Sequence, residues 1–387
     1  MAYHLAQFHD VWVLTQNYYQ RPIEEELAKS PVSGLHFIYH DLPSWAHQWW
    51  HRGQRGIQLH YYLWQLGAYN VVLRLHRKVL FDVAHHLTLG RYWTPSLLSM
   101  LPIPFIFGPV GGGESAPSSF FPSFGLRGFM YEYVRMAVRF FGECDPLVRA
   151  TIRNAKVILS PTLETRTRVK ALGAKRIIFF PGQTGMNNHE IDSLTRTTSE
   201  VRNEDLRFIS IARLLSWKGV HLGIQAFAAA NIDGAEYWII GEGPERARLQ
   251  KLSKHHNVNH RVQFLGNLGR EETFKKLLAS HVFVHLSLHD FSPTVCLEAM
   301  AAQCPVICLD IGGPSMQISE KTGLKLPATT PVQVINDAAT AMKFMAGNQN
   351  ARLQMGQAGR ECVISEYSWD RKARFLDRLY QQVIQVE

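Results

Sequence analysis

The chain has 387 residues, of which 46% are hydrophobic, and its 41 Lys and Arg against 32 Asp and Glu give a formal net charge of +9. This composition excludes a disordered chain, and the length favours two domains. The apolar runs are too short for a membrane-spanning helix, and the N-terminus lacks the charged and then apolar pattern of a signal peptide. We therefore expect a soluble, cytoplasmic protein.

Five segments in the first half of the chain are short, apolar and typical of strands. They are Val11–Thr15, Leu35–Tyr39, Phe81–His85, Pro104–Gly108 and Ala155–Ser160. Helical patterns rich in aromatic and basic residues cover Trp45–Lys78 and Leu126–Phe141. The alternation predicts a doubly wound domain over residues 1–186, and the polar stretch from Asn187 to Asp205 is the best candidate for a linker.

Strands and helices alternate strictly in the second half. The predicted strands are Leu206–Ala212, Glu236–Ile240, Val262–Leu265, Val282–Leu286 and Pro305–Leu309. The predicted helices are Val220–Ala230, Glu245–Lys254, Glu271–Ser280 and Thr294–Gln303. This order predicts a second α/β domain, residues 187–365, with a parallel sheet covered on both faces. A final helix, Trp369–Ile384 within residues 366–387, has no strand after it and must pack elsewhere.

The cysteines and the positive charge limit the possible ligands. The five cysteines form no Cys-x-x-Cys pair, which argues against a disulfide framework or a zinc site. Cys304 and Cys308 flank an apolar run and are predicted to be buried. The positive charge favours a phosphorylated substrate or anionic lipid, and nucleic acid is not expected because no zinc finger, RNP-type motif or long basic run is present.

Charged and glycine residues follow the predicted strands, where open α/β sheets bind their ligands. Arg213 and Lys218 lie near the two ends of one such loop and could bind a diphosphate. Two solvated charges beside a glycine turn would explain this pattern equally well. Gly241 and Gly243 follow the next strand and either let backbone N–H groups approach an anion or form a tight turn.

The segment from His289 to Met300 is the most informative. Asp290 lies in a loop, and Glu298 lies more than one turn into the following helix. The start of that helix would present free N–H groups to a phosphate. Asp290 could accept hydrogen bonds from a sugar and Glu298 from a ribose. The alternative for Glu298 is a solvated helix position.

The order of these motifs resembles glycosyltransferase family 4, the group 1 retaining enzymes with the GT-B fold. The motifs are strand-Arg-x4-Lys-Gly, strand-Gly-Glu-Gly-Pro, Phe-Leu-Gly, acidic-x7-Glu-Ala-Met-Ala and Gly-Gly-Pro. The resemblance implies two Rossmann-like domains that face each other across a cleft, with a C-terminal helix that crosses back to the first domain. It also implies sugar transfer from a nucleotide-diphosphate sugar, with no metal and no other cofactor.

The resemblance assigns roles residue by residue. Arg213 and Lys218 would neutralise the departing diphosphate, Glu298 would hold the ribose, and Asp290 would hold the transferred sugar. Further contacts to sugar, phosphate or base would come from Gly241, Gly243, Leu265, Gly266, Phe291, Ser292, Pro293 and Thr294.

The chain departs from the family pattern in the loop that is expected to hold the sugar. Asp290 is one methylene shorter than the usual Glu, and His289 and Ser292 replace glycines.

The first domain also departs from the family pattern. Many relatives carry a histidine after the strand that ends near Phe107, but this chain reads Gly108 to Glu114 there, which resembles a subgroup involved in surface polysaccharides. His85 and His86 are the nearest alternatives, unless they only cap their strand. The chain also starts inside the family's first helix, so a strand–loop–helix unit of about 25–30 residues is expected to be missing.

Two aromatic and basic clusters suggest an anionic membrane surface. One lies in Leu126–Phe141, with its arginines at Arg127, Arg135 and Arg139. The other comprises Trp45, Trp49, Trp50, Arg52 and Arg55. The alternative is a pair of ordinary helices with inward-facing aromatic residues.

The function expected from the resemblance is glycosyl transfer in cell-surface polysaccharide or glycolipid synthesis. The acceptor would be a saccharide or a polyprenyl-linked molecule at the inner face of the cytoplasmic membrane. The alternatives are a remnant that binds nucleotide sugar without transferring it, and a GT-B sugar-nucleotide epimerase.

Overall fold

A computed structural model describes residues 1–43, 57–181, 184–195 and 205–385. The predicted cluster of Trp45, Trp49, Trp50, Arg52 and Arg55 lies outside these residues. Among the described helices, none is both long enough and apolar enough to cross a membrane.

The strands of the first domain form two parallel sheets. They are β1 (Val11–Thr15), β2 (Leu35–Tyr39), β3 (Ala84–His86), β4 (Phe105–Phe107), β5 (Val157–Ser160) and β6 (Ile177–Phe179). β1 pairs with β2, and the other four strands form a separate sheet in the order β3-β4-β5-β6. The five predicted strands are present. The sequence did not indicate β6, because only four residues of strand type, Ile177 to Phe180, stand between a basic pair and Pro181.

The helices of the first domain cover these sheets. They are α1 (Ala2–Leu5), α2 (Gln20–Lys29), α3 (Ile57–Val79), α4 (Gly125–Cys144), α5 (Pro146–Asn154) and α6 (Leu163–Ala171). α5 starts where expected from its residues, since Pro146 occupies the first turn and the Asp145 side chain accepts the Leu147 N–H.

The interpretation of residues 187–205 as a linker is wrong for residues 187–195. A helix, α7 (Asn188–Ser193), begins at a capping box formed by Asn187 and Glu190. Its Ile191 and the following Leu194 are buried with Met186 in the core of the second domain. Two apolar side chains three residues apart therefore suffice to fold a stretch whose overall composition is polar.

The second domain contains one six-stranded parallel sheet in the order β12-β11-β10-β7-β8-β9. Its strands are β7 (Arg207–Ile211), β8 (Glu236–Ile240), β9 (Val262–Gly266), β10 (Val282–His285), β11 (Val306–Leu309) and β12 (Gly323–Leu326). The chain winds outward from β7 in both directions, so the strand order reverses between β7 and β10. Ligands of doubly wound sheets bind at this position, beyond the carboxyl ends of the strands.

Helices cover both faces of this sheet, as the alternation predicted. They are α8 (Val220–Ala230), α9 (Arg246–His255), α10 (Arg270–Leu278), α11 (Thr294–Ala301), α12 (Gly312–Gln317), α13 (Pro331–Gly347) and α14 (Gln349–Cys362). Each face of the sheet has its own hydrophobic core, and successive strand residues point to opposite faces. Val284 and Ile307 lie in one core, and Phe283 and Val306 lie in the other. Cys304 and Cys308 are buried, as predicted.

The last helix, α15 (Trp369–Ile384), packs on the first domain. Its Leu376 and Tyr380 join Ile106 and Leu159 in one core. The buried Lys372 Nζ donates to the carbonyl oxygens of Pro181, at 2.8 Å, and of Thr184. Burial lowers the pKa of Lys372 to about 7. Lys372 therefore ties the start of α15 to the segment through which the chain leaves the first domain.

Candidate active site

The two loops at the switch point of the second sheet meet through an ion pair. Lys218 lies after β7 and Asp290 after β10, and Lys218 Nζ is 2.7 and 2.8 Å from the two carboxylate oxygens of Asp290. The side chains are only 19% and 18% exposed. His285 Nε2, at the end of β10, lies 3.1 Å from Asp290 Oδ2. The structure thus joins two of the predicted residues and adds a third.

The surroundings of Asp290 keep it ionised. Burial alone would raise its pKa, but the hydrogen bond from His285 and the positive charge of Lys218 outweigh burial and hold the pKa of Asp290 well below its usual value. Both carboxylate oxygens are occupied by these partners. The sequence pattern did not single out His285, because this residue lies within the strand and not in the loop that follows it. The available signal was a polar residue closing the otherwise apolar Val-Phe-Val-His strand.

Glu298 belongs to a second charged group, separate from the Lys218–Asp290 pair. It is 8% exposed on α11, so the alternative of a solvated helix position does not hold. Its Oε1 lies 3.4 Å from Nη2 of Arg270, which is also 2.8 Å from Glu190. Burial raises the pKa of Glu298, and the charge of Arg270 only partly opposes this shift. The sequence analysis missed Arg270, although it directly follows a glycine at the start of α10.

Arg213 is an exposed cation in the loop after β7. Its guanidinium makes no hydrogen bond or ion pair to any residue that the structure describes. Unlike Lys218, it can meet an incoming anion without first losing a partner.

Gly241 and Gly243 allow the loop after β8 to pack on the loop after β7. A Cβ at Gly241, where φ is +126°, would lie 2.0 Å from the Ala212 carbonyl oxygen, and one at Gly243 would lie 2.4 Å from that of Leu214. The Gly241 N–H donates to the Gly266 carbonyl at 2.8 Å. Close packing thus accounts for both glycines, and it brings Leu265 and Gly266, at the end of β9, beside them.

The segment from Phe291 to Thr294 faces the first domain. The Phe291 ring packs on Gly111, where a Cβ would lie 2.4 Å from the ring. Ser292 Oγ is 2.7 Å from Thr184 Oγ1. Pro293 and Thr294 begin α11. The cavity beside Phe291 and Ser292 measures about 10 Å³, which is room for about one water, so these contacts leave no space for a larger ligand at this position.

A second contact between the domains runs through His289. Its Nε2 lies 2.6 Å from Oε1 of Glu132, which is fully buried on α4 and also paired with Arg135 at 3.1 Å. Trp217 is stacked between His289 and Tyr131, with ring centroids 5.2 and 4.4 Å away. Burial lowers the pKa of His289 despite its hydrogen bond to Glu132. No sequence pattern predicted the contact between His289 and Glu132.

His86 is buried in the first domain, and His85 is partly buried beside it. His85 Nδ1 lies 2.6 Å from the Tyr380 hydroxyl, and its Nε2 lies 2.6 Å from the Gly108 carbonyl oxygen. His86 Nε2 is 3.1 Å from the Tyr61 hydroxyl. Burial lowers the pKa of His85 to about 4 and that of His86 to about 3. This geometry fits the strand-capping alternative for the pair.

The second domain also matches a known family. Residues 193–362 match the family model described as Glycosyl transferases group 1. Over 221 residues the chain is 28% identical to the lipopolysaccharide core biosynthesis glycosyltransferase LpsE of Rhizobium meliloti. That match covers 56% of this chain and 61% of LpsE, so the chain spans less than two-thirds of this relative's length.

Solved structures show the same fold over the full length of the chain. A glycosyltransferase from Rickettsia africae matches with a TM-score of 0.65 at 14% identity, covering 100% of this chain and 94% of that one. Anabaena HepE in complex with UDP matches with a TM-score of 0.64 at 13% identity, covering 100% and 95%. The chain therefore has the GT-B fold of two Rossmann-like domains, and its residues 193–362 resemble the group 1 glycosyl transferases.

Proposed function

We propose that this chain is a retaining, metal-independent glycosyltransferase of family 4. It moves a sugar from a nucleotide-diphosphate sugar to a saccharide or lipid-linked acceptor in cell-surface polysaccharide or glycolipid synthesis. The observation that carries the proposal is the Lys218–Asp290–His285 group at the switch point, with Glu298 buried on the helix that follows the same loop. The UDP complex of HepE and the role in the name of LpsE support it.

The proposed reaction needs no nucleophile from the protein. The bond between the sugar and the nucleotide diphosphate breaks, and the acceptor oxygen forms its bond on the same face of the sugar. The acceptor proton passes to an oxygen of the departing phosphate. Arg213 and Lys218 stabilise the charge that develops on the diphosphate. Glu298 accepts a hydrogen bond from the ribose, and the first turn of α11 offers N–H groups to the phosphates.

Nucleotide binding gives the first test. A thermal-shift panel with UDP, GDP, ADP and dTDP is expected to show stabilisation by one of them. At a ligand concentration near 100 times Kd the gain is about 2.7 kcal/mol. In Glu298→Gln we expect this shift to be lost, because an amide accepts the ribose hydrogen bond more weakly than a carboxylate. No shift with any nucleotide would contradict the proposal.

The design separates a binding defect from a folding defect. Since burial raises the pKa of Glu298, its ionised form costs stability at neutral pH, so Glu298→Gln without nucleotide should melt no lower than the wild type. The matched control is Glu271→Gln, which changes an exposed carboxylate on α10 paired only with Lys275 in the described structure. That variant should keep the full nucleotide shift.

We further propose that α4 binds a membrane surface. An ordinary surface helix buries its apolar side, but α4 does the opposite. Its charged residues Glu132 and Arg139 are buried, and its solvent-facing side exposes large apolar residues. The most exposed of these are Leu126, Tyr133, Phe140 and Phe141, at 81%, 64%, 61% and 71%. An apolar outer face with aromatic rings suits the headgroup region of a bilayer. Of the three arginines predicted to face lipid, only Arg127 is exposed, since Arg135 and Arg139 turn inward to Glu132, Ser115 and backbone carbonyls.

Vesicle binding tests this second proposal. The protein is expected to co-sediment with vesicles of phosphatidylcholine and phosphatidylglycerol at low salt. Phe141→Ser, which removes an exposed ring, should weaken this binding by roughly tenfold, the effect of about 1.5 kcal/mol of lost apolar burial. Phe344→Ser, at an exposed position on α13, is the control and should bind as the wild type does. Equal binding by wild type and Phe141→Ser would exclude α4 as the contact.

A further inference from the structure

The three glycines Gly111, Gly112 and Gly113 each make room for a different neighbour. The Gly111 position is filled by the Phe291 ring, and a Cβ at Gly113 would lie 2.5 Å from the Cα of Thr165. Gly112, with φ of +96°, has only the indole of Trp93 nearby, and a Cβ there would lie 3.0 Å from Nε1. Gly112 therefore leaves open the space beside the Trp93 N–H.

Arg91 lies over the same indole ring. Its guanidinium carbon is 5.2 Å from the Trp93 ring centroid, and its backbone forms a bridge with Gly111. Two backbone hydrogen bonds hold Arg91 in this position. The Gly111 N–H donates to the Gly90 carbonyl at 2.7 Å, and the Tyr92 N–H donates to the Gly111 carbonyl at 3.1 Å. The Arg91 side chain is exposed. Stacking on an aromatic face holds a guanidinium in place while its N–H groups remain available.

The donors of this pair have no acceptor in the described part of the chain. Neither the Arg91 guanidinium nor the Trp93 indole N–H makes a hydrogen bond or ion pair there. The carboxylates of this part of the chain are already engaged. Glu114 accepts hydrogen bonds from the Gly112 N–H, at 2.8 Å, and from the hydroxyls of Thr162 and Thr165. Glu132 is paired with Arg135 and His289, and Glu143 with Arg168. The positive charge of Arg135 also acts on Arg91. The group is thus cationic, rich in N–H donors and lacking an anion.

The surroundings indicate which anion fits. Gly111 contacts Phe291, the neighbour of Asp290, so the Arg91–Trp93 pair borders the loop proposed to hold the nucleotide sugar. On the other side, Arg91 interacts electrostatically with Tyr131 of α4, the helix with the apolar outer face. The pair therefore lies between the proposed reaction centre and the proposed membrane-facing helix, where the head of an acceptor lipid would sit.

We propose that the Arg91 guanidinium and the Trp93 indole N–H bind the phosphoryl group of a lipid-linked acceptor. This inference rests on the proposed glycosyl transfer, since it assigns the acceptor side of that site. A phosphate or diphosphate offers several oxygens, which match the forked N–H groups of arginine and a further N–H from the indole. Gly112 is required because any side chain there would press on the indole N–H.

Vesicle binding with matched variants tests the inference. The probes are phosphatidylcholine vesicles with and without a small fraction of a polyprenyl phosphate, at constant ionic strength. Arg91→Gln should weaken binding to the phosphate-bearing vesicles about tenfold or more, the usual effect of losing a charged hydrogen-bonding partner. Trp93→Phe, which keeps the ring under Arg91 but removes the N–H, should cause a smaller loss. Arg166→Gln removes an equal, exposed charge from α6, outside the helix proposed to contact the membrane, and should leave the preference for polyprenyl phosphate intact.

Soluble ligands distinguish the possible sources of the phosphoryl group. We expect Arg91→Gln to keep its melting temperature and its full shift with the nucleotide that stabilises the wild type. Loss of the nucleotide shift would assign Arg91 to the nucleotide and overturn the inference. So would equal weakening by Arg91→Gln and Arg166→Gln, or competition by inorganic phosphate as effective as that by the lipid. If no nucleotide binds but vesicle binding still depends on Arg91, the transferase proposal fails while this site stands.

Discussion

Lys218→Met is expected to lower kcat by about 10²–10³-fold, because it removes a positive charge from the place where charge develops on the departing diphosphate. It should also lower the free energy of unfolding by about 3 kcal/mol. The Asp290 side chain is only 18% exposed, and without Lys218 its carboxylate keeps only His285 as a partner. Transfer assays with the sugar form of the nucleotide identified by thermal shift measure kcat, and urea denaturation measures the free energy of unfolding.

The same variant should be more sensitive to acid. The pKa of Asp290 is lowered in the folded protein, so its contribution to stability is fully present above the unfolded value of about 3.9. That contribution is lost as the pH falls through the folded pKa. Removing Lys218 raises the folded pKa, which reduces the contribution and moves acid unfolding to higher pH.

Two controls separate the chemical role of Lys218 from its structural one. Lys275→Met breaks an exposed pair with Glu271, 2.9 Å long, and should change stability by less than about 1 kcal/mol and leave kcat unchanged. In Lys218→Met/Asp290→Asn no buried charge is left unpaired, so stability should recover while the rate does not. If Lys218→Met behaves like Lys275→Met, the ion pair has no part in transfer.

Gly219→Ala should be the most destabilising of the single substitutions considered, by about 4 kcal/mol or more. Gly219 has φ of +68°, and a Cβ there would lie 1.8 Å from the carbonyl oxygen of Leu286 and 2.6 Å from its carbonyl carbon. Both atoms belong to the backbone just beyond β10, so relief requires the loops after β7 and β10 to separate. That movement would pull Lys218 away from Asp290, and we expect nucleotide binding to be lost as well.

Gly347→Ala is the matched control for this effect. Gly347 ends α13, its φ is not left-handed, and a Cβ there would meet nothing within 4 Å. The control should therefore be neutral or more stable by up to about 1 kcal/mol, since alanine favours a helix more than glycine does. Urea denaturation of the two variants beside the wild type makes the comparison. A Gly219→Ala protein within about 0.5 kcal/mol of the wild type would show that the loops can move apart at little cost.

The residues themselves determined much of the second domain. The bounds of β8, α8 and α15 agree with the predicted segments, because apolar periodicity and glycine punctuation are local properties of the chain. The alternation of strands and helices also predicted that Lys218, Asp290 and Glu298 follow the carboxyl ends of parallel strands. The edge strand β12 and the helices α13 and α14 were not assigned from sequence, and the first domain's strands proved to form two sheets.

Only the tertiary structure decided which charges meet. Glu132 and His289 are 157 positions apart and on different domains, and no local pattern relates such residues. Likewise, the sequence of α4 shows one side with charges and another with aromatic rings, but it does not show which side is buried. The charged side faces inward because Glu132 contacts His289 and Arg139 donates to the carbonyl oxygen of Gly113. Local periodicity thus fixes elements and the edge where a site forms, whereas the partners of each charge depend on how distant elements pack.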